Sequence, residues 1–436
     1  ATSNNNNLTM ASLIRAARAS APRRAIASVS ACREFSAMLT PVEEFPGLPS
    51  TSPSKATAGT ASVTTLSNGL TVVSETGSST STIQLTFPNG GSASESASES
   101  GAAIANQFMS FKSGSGLSSA VILRNLEDDG AKPFASASRT GATVGFTASK
   151  DKALRLIPLL ATSSTYEKWD VRDAQATAKV LCNEAESTAQ TVLSESIYDA
   201  AFGAQSGMGK SFYSTSASGS SIRSFRERAY VLNGAVVAAT GIEDHESFVK
   251  AVEEGFSESN VGEAIVSTPS VFLGRESRVH APSAGYTHVA LAFEGPKSSA
   301  LANVIQQCIN VGSEGALSGF VAPGVVGAYS GSAPADASSA VDALVASITA
   351  SPSAAIVNRA KGLAKAQAMF ALEGASSSLA DVMTDSVLEN STFSAAEISA
   401  AYDSITAQDV AAAFDAMAKS SPAMASVGDL SSTPYQ

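Results

Sequence analysis

Two kinds of apolar spacing alternate along the chain. "SVTTLSNGLTVVSE" (62–75) has two strand-like runs around Asn68-Gly69, a pair of residues that suits a hairpin turn. "STIQLTF" (81–87) is another strand, closed by Pro88-Asn89-Gly90. In "GAAIANQFMSFKSG" (101–114) the spacing changes: Ile104, Phe108 and Phe111 fall at i, i+4 and i+7, which predicts a helix reaching Phe111. A second helix is expected at about 118–129. "PFASASRTGATVGFTAS" (133–149) reads as a hairpin of alternating small and apolar residues. "KDKALRLIPLLATSS" (150–164) reads as one helix and 171–202 as one long helix. "GAVVAATG" (234–241) is a strand and "DHESFVKAVEEGF" (244–256) a helix. Strands and helices mix without strict βαβ alternation, so the expected class is α+β.

The second half repeats the first. "THVALAFEGP" (287–296) echoes "STIQLTFPNG" (81–90), and the stretch from Gly324 echoes the one from Gly141. This predicts two copies of one domain. Phe87 to Gly141 is 54 positions and Phe293 to Gly324 is 31, so the second copy is shorter by 23. That is room for about one helix or strand with its turn.

Composition narrows the function. The chain has 436 residues and 44% apolar content, enough for two or three packed domains. Its apolar runs fall far short of the about 18 residues of a membrane span. Net charge is −11 with no basic stripe in the body, which argues against nucleic acid. Cys32, Cys182 and Cys308 form no CxxC pair, and the histidines are three: His245, His280 and His288. The first residues differ in kind. Arg15, Arg18, Arg23, Arg24 and Arg33 all precede the first acid, Glu34, with Ser and Ala between them. That is the composition of a mitochondrial transit peptide, expected over 1–35. A Pro/Ser/Thr-rich linker is expected over 36–60, then one domain at 61–256, a second linker at 257–275 and the other domain at 276–436.

An ordered set of blocks carries a resemblance. "TTLSNGLTVVSE", "GSASE" with "GAAIANQFMSFKSG", "LEDDGAKPFASASRTGATVGF", "GIEDHESFVKAVEEGF", "GRESRV" with "THVALAFEGP", and the closing "AMASVGDLSSTPYQ" together resemble the pitrilysin-like, inverted-zincin family. Within it they look most like the branch of the mitochondrial processing peptidase and the core proteins of respiratory complex III. Active members carry H-x-x-E-H on the helix, two His binding zinc and the Glu serving as general base. Laid on this chain, the histidines fall on Ile104 and Phe108 and the base on Gln107. Ile and Phe offer no lone pair to a metal, and a neutral amide takes no proton from water. Glu184, 76 residues after Phe108, stands where a third ligand would be.

The expectations are therefore no catalytic residue, no metal site and no cofactor. Ile104 and Phe108 read as core-filling residues and Glu184 as a helix surface residue. The resemblance implies a non-catalytic, structural complex III core subunit on the matrix side of the mitochondrial inner membrane. Its partners would be a core-one-like subunit and the cytochrome b, cytochrome c1 and Rieske subunits, and it would meet the membrane only through them. The presequence-binding alpha subunit of the processing peptidase is the alternative.

Other candidates have plainer readings. His280 and His288, with Glu276 nearby, make a poor metal set and read as polar strand ends. His245 follows Asp244 at a helix start, with Asp244 near the N-cap. Cys182 and Cys308 read as buried thiols. "GSEGALSGFVAPGVVG" (312–327) lacks a phosphate-loop lysine and reads as a loop or hairpin.

Overall fold

The computed structural model describes residues 61–436 apart from 115, 162–163, 258, 260, 264–269, 314, 390 and 392. The expected transit peptide and first linker lie outside the described residues, as does part of the second linker.

The first half builds β1 (Ala61–Thr65), β2 (Thr71–Glu75), β3 (Ser81–Phe87), α1 (Ala102–Met109), α2 (Ser119–Asp128), β4 (Lys132–Ala137), β5 (Ala142–Ala148), α3 (Lys168–Ser187), α4 (Ala189–Phe202), α5 (Gly219–Ala229), β6 (Val236–Ala239) and α6 (His245–Gly255). The second half builds β7 (Glu276–His280), β8 (Thr287–Glu294), α7 (Ser299–Gly312), β9 (Ser318–Ala322), β10 (Val325–Ser332), α8 (Ala337–Thr349), α9 (Ala354–Glu373), α10 (Ser376–Leu388), α11 (Ala395–Ser404), α12 (Ala407–Lys419) and β11 (Ala423–Gly428). This is the expected α+β fold with a repeat.

The repeat is explicit in the sheets. One has the order β1-β2-β6-β3-β5-β4 and the other β7-β11-β8-β10-β9. Without β1 the two orders correspond strand for strand. The senses correspond too: β2 runs parallel to β6 and β7 to β11, while β3 and β8 are each antiparallel to both neighbours. The shortening also has a structural form: α1, α2 and β4 lie between β3 and β5, whereas only α7 and β9 lie between β8 and β10. Pairing corrects the sequence alignment of the halves by one residue. Phe87 faces Ala142, but Phe293 faces Val326. With a side-chain period of two, that slip decides which residues share a face. Val326 and Ala328 lie in the core beneath Phe293, and Tyr329 lies on the opposite face.

Other boundaries need correction. The helix expected to reach Phe111 stops at Met109; Ser110 is extended and Phe111 has φ 58°. Ser110, Ser113 and Gly114 after it give little helix support, and Phe111 packs back on the first core instead. The 150–164 helix is two short pieces, Lys150–Ala153 and Ile157–Ala161, joined by a 3₁₀ turn ahead of Pro158. The long helix expected over 171–202 breaks at Thr188, whose backbone is extended (φ −103°, ψ 111°) and whose hydroxyl donates to the Glu184 carbonyl at 3.1 Å.

That break matters because α4 leaves its own half. Its Leu193, Ile197, Tyr198, Ala201 and Phe202 pack on Ala290, Ala292, Ala423, Ala425 and Val427 of the second sheet. α10, from the second half, does the reverse: Leu379, Ala380 and Met383 cover Val73, Val236 and Ala238 of the first sheet. Gln84 of β3 also donates to Asp381 and Thr384 of α10, both at 3.1 Å. The opposite faces are covered from within each half, around Phe146, Phe225 and Phe248 in the first and Phe414 and Leu344 in the second. The spans 61–256 and 276–436 are thus not self-contained: each contributes one helix to the other.

If the exchange holds the halves together, Met383→Ala should lower stability by about 2–5 kcal/mol. It should also shift the unfolding midpoint read by the fluorescence of Trp169, the single tryptophan, although Trp169 lies in the other half. An unmoved Trp169 transition would show that the halves unfold independently.

Candidate functional site

α1 is the helix on which the sequence placed the candidate chemistry, and buried polar groups fix it from several sides. At its start, the Glu95 carboxylate accepts from the backbone N–H of Gly101 (3.0 Å) and Ala103 (2.7 Å), two donors with no partner inside the helix. Gly101 sits at φ 88°, and a Cβ there would lie 2.1 Å from the Ser214 carbonyl oxygen, so only glycine lets the chain turn into α1 at this distance. Glu99 accepts from the Ser96 N–H (2.9 Å) and pairs with Arg228 at 2.6 Å. In the helix middle, the Asn106 amide donates to the carbonyls of Ala102 (2.9 Å) and Ile222 (3.0 Å), and its oxygen accepts from the Tyr166 hydroxyl at 2.5 Å. α1 is therefore tied to α5 and to the 164–167 segment.

Burial pushes the Glu95 carboxyl up to about 7, against the pull of the Ala103 and Gly101 N–H groups and the Lys210 charge. Burial likewise pushes Glu99 up, but its bonds to Ser96 and Arg228 outweigh this and hold it below the usual range.

The face of α1 toward α3 is apolar. Ile104 is fully buried and packs with Ala178 and Cys182 of α3, and half-buried Phe108, Leu181, Phe212 and Tyr213 complete the cluster. Cys182 donates weakly to the Ser214 carbonyl at 3.9 Å, and burial raises its thiol pKa. Glu184 is exposed on α3. The α3 residues that meet Ile104 and Phe108 are Ala178, Leu181 and Cys182, and Glu184 is the surface residue expected from the sequence. Gln107 is half-buried, and its Oε1 accepts from the Ala137 N–H of β4 at 3.2 Å. Among the described residues, no group of three or more His, Cys, Asp or Glu side chains converges as a metal site would require.

The histidines lie elsewhere. His245 begins α6, bonded to Thr64 (2.9 Å) and Ser74 (2.7 Å), while Asp244 caps the helix by accepting from Glu246 and Ser247 N–H. His280 ends β7, exposed. His288 is at a strand end as expected, the second residue of β8, but it is only 7% exposed, with Nδ1 2.7 Å from the Tyr329 hydroxyl. No motif announces this pair, since Tyr329 comes 41 residues later and meets His288 only across the β8–β10 ladder. Cys182 and Cys308 are both free and buried. The later part of the glycine-rich stretch is the β9–β10 hairpin, with Ala322 facing Val325 around Pro323-Gly324. No single helix among the described residues is long and apolar enough to cross a membrane.

Residues 70–215 match the Insulinase (Peptidase family M16) model. The matched stretch is the part of the chain that holds α1. The chain is 30% identical over 242 residues to the alpha subunit of the mitochondrial-processing peptidase of Solanum tuberosum, covering 54% of this chain and 47% of that protein. It is 27% identical over 262 residues to the probable alpha-2 subunit, chloroplastic/mitochondrial, of Arabidopsis thaliana, covering 57% and 52%. The chain thus aligns with about half the length of these relatives. In fold it matches a chain of complex III2 from Candida albicans, Inz-5 bound, with TM-score 0.72 and 20% identity, over 85% of this chain and 96% of that one.

Two tests follow from the packing of α1. Ile104→Ala should cost about 2–5 kcal/mol, as for a fully enclosed aliphatic side chain. Ile104→His with Phe108→His should also destabilise, since imidazoles would enter an apolar cluster without partners. That variant should hydrolyse no peptide while residue 107 is Gln. Parental stability of the double variant in metal-free buffer would show that the cluster admits water.

The third test concerns pH. The Glu95 carboxyl gives up its proton near pH 7 when folded and near 4.5 when unfolded. Between these values the folded state holds a proton that the unfolded state has lost, so this group's contribution to stability falls as pH rises from about 4.5 to 7. Glu95→Gln, which cannot ionise, should remove that slope. Equal pH profiles for parent and variant in urea unfolding would count against it.

Proposed function

We propose that this chain is a non-catalytic structural subunit of mitochondrial respiratory complex III, in the role of core protein 2, peripheral on the matrix side of the inner membrane. The observation that carries this reading is the apolar packing of Ile104 and Phe108 against α3, in a fold that matches a complex III chain along nearly all of that chain's length. An α1 whose outer face is filled by Ala178, Leu181, Cys182, Phe212 and Tyr213 acts as a packing element. In this role it supports assembly, pairs with a core-one-like subunit and reaches the membrane through cytochrome b, cytochrome c1 and the Rieske protein. Residues 1–35 serve as its transit peptide.

The identity to two peptidase alpha subunits favours a second reading, the presequence-binding alpha subunit. Purification after mild detergent extraction of the inner membrane separates the two. Cytochrome b and the Rieske protein should come with this chain under the first reading. A soluble pair with the peptidase beta subunit would establish the second. The purified chain should hold no stoichiometric zinc by elemental analysis; one zinc per chain, lost with Glu184→Gln, would overturn the non-catalytic assignment.

A further inference from the structure

α9 buries one face and leaves large apolar side chains exposed on the other. Val357, Ala360 and Ala364 lie in the second core. A helix turns about 100° per residue, so Arg359, Gly362, Leu363, Ala366, Phe370 and Glu373 share the opposite face. Phe370 is 69% exposed and Leu363 42%. Gly362 does no work inside the chain. It sits in the interior of a 20-residue helix, where a Cβ would meet no atom within 4 Å. Glycine weakens a helix interior relative to alanine, and the room it leaves here is not filled by any described residue.

The stripe complements itself about Ala366. Gly362 lies 4 positions before Ala366 and Phe370 4 after; Arg359 lies 7 before and Glu373 7 after. When two copies of α9 lie antiparallel across a twofold axis at Ala366, Phe370 of each copy comes to the level of Gly362 of the other. It then enters the space between Arg359, Gly362, Leu363 and Ala366, the i, i+3, i+4, i+7 set that receives a side chain in knobs-into-holes packing. The absent Cβ of Gly362 is what gives that space its depth. The same register brings each Arg359 to the level of the other copy's Glu373. Both are exposed, and neither has an ion-pair partner among the described residues. The nearby lysines are already engaged: Lys361 donates to the Asp403 and Ile405 carbonyls, both at 2.8 Å, and Lys365 pairs with Asp403 at 2.7 Å.

We propose that the outer face of α9 is a docking surface for α9 of a second copy of this chain, in an antiparallel pair with twofold symmetry. A twofold contact must be made by a patch that fits itself, with each residue meeting its counterpart across the axis. This stripe meets that condition three times in one register: large against small at Phe370 and Gly362, opposite charges at Arg359 and Glu373, and a small residue at the centre where the helices come closest. A partner of different sequence would impose no such symmetry about Ala366. The contact is one helix wide, below the about 1,200 Å² of a standard interface, so the pair is weak and depends on concentration.

Sedimentation velocity of the purified chain over about 1–500 µM, the range of weak contacts, should show a dimer that grows with concentration. Phe370→Glu should weaken association about tenfold or more, as for a central aromatic anchor, and leave thermal unfolding unchanged because the side chain is exposed. Gly362→Ala should raise the unfolding midpoint and weaken the dimer, opposite shifts that a glycine serving its own chain would not give. Arg359→Glu and Glu373→Arg should each weaken the dimer. The double variant should restore it, since the exchanged charges face each other again across the twofold axis. A chain that stays monomeric over this range, a dimer unmoved by Phe370→Glu, or a double charge exchange no better than the single ones would overturn the proposal. If the chain is monomeric and Phe370→Glu instead blocks co-purification of a different protein, the stripe serves that protein and the assignment to a second copy fails.

Discussion

A β-sheet with apolar residues on both faces needs cover on both, and in this chain neither half has helices enough of its own in the right place. Val73, Val236 and Ala238 project from one side of the first sheet, while Ile83, Leu85 and Phe87 project from the other. The second group meets helices of the same half. The first meets α10, which the chain supplies only after it has built the second sheet. α4 reciprocates on Ala290, Ala292, Ala423 and Ala425, alanines that leave a helix room to lie close. Burying a large aliphatic or aromatic side chain is worth about 1.5–3 kcal/mol. Each exchanged helix buries several, so withholding either would expose more apolar surface than a marginally stable domain can tolerate. The relation between the halves is therefore set by the need to cover the sheets.

The same constraint explains why α1 is held so firmly. It lies over the first sheet on the side away from α10, and its own apolar residues split between that core and the cluster with α3. A helix of 8 residues is too short to be stable on propensity alone. Glu95 at its start, Asn106 at its middle and Gly101 at its entry supply the missing constraint through bonds to separate parts of the half. This polar frame surrounds an apolar centre at Ile104 and Phe108. The frame would position any side chains placed at these points, and the residues that occupy them decide that the result is packing.

Elements whose pattern is local were legible in the sequence. The hairpin at Asn68-Gly69, β3, the β4–β5 hairpin, the α6 start at Asp244 and the repetition of β3 as β8 all follow from spacing and turn residues. So did the loss of about one element, helix or strand, from the second half, because a shortfall of 23 residues is a length and needs no structure to see. What was not legible depended on long-range packing. A helical pattern runs through Thr188 without interruption, and the break there accompanies the long-range packing of Leu193 and Ile197 on the second sheet. The one-residue offset between the halves was hidden because glycines recur on both sides of it. His288 is the strand end it was read as, but its burial against Tyr329 was not legible because the two are neighbours only in the folded sheet.

Gln107 shows how a position can change its work without losing its place. β4 is the outer strand of the first sheet, and such an edge offers unpaired N–H groups to any extended chain. Ser138 N–H turns inward to the Gly141 carbonyl, so Ala137, Ala135 and Pro133 have their backbone groups facing out. Pro133 has no N–H. The Ala137 N–H is taken by Gln107 at 3.2 Å. Of the three outward positions in β4, only Ala135 still carries an N–H without a partner, too few donors to register another strand. A carboxylate at 107 could also accept from Ala137, but it would place a charge beside an apolar cluster with no metal to balance it. The amide makes the same bond neutrally. The residue standing where the resemblance puts a general base thus closes the strand edge beside it, and the packing of Ile104 and the blunting of β4 follow from one helix face.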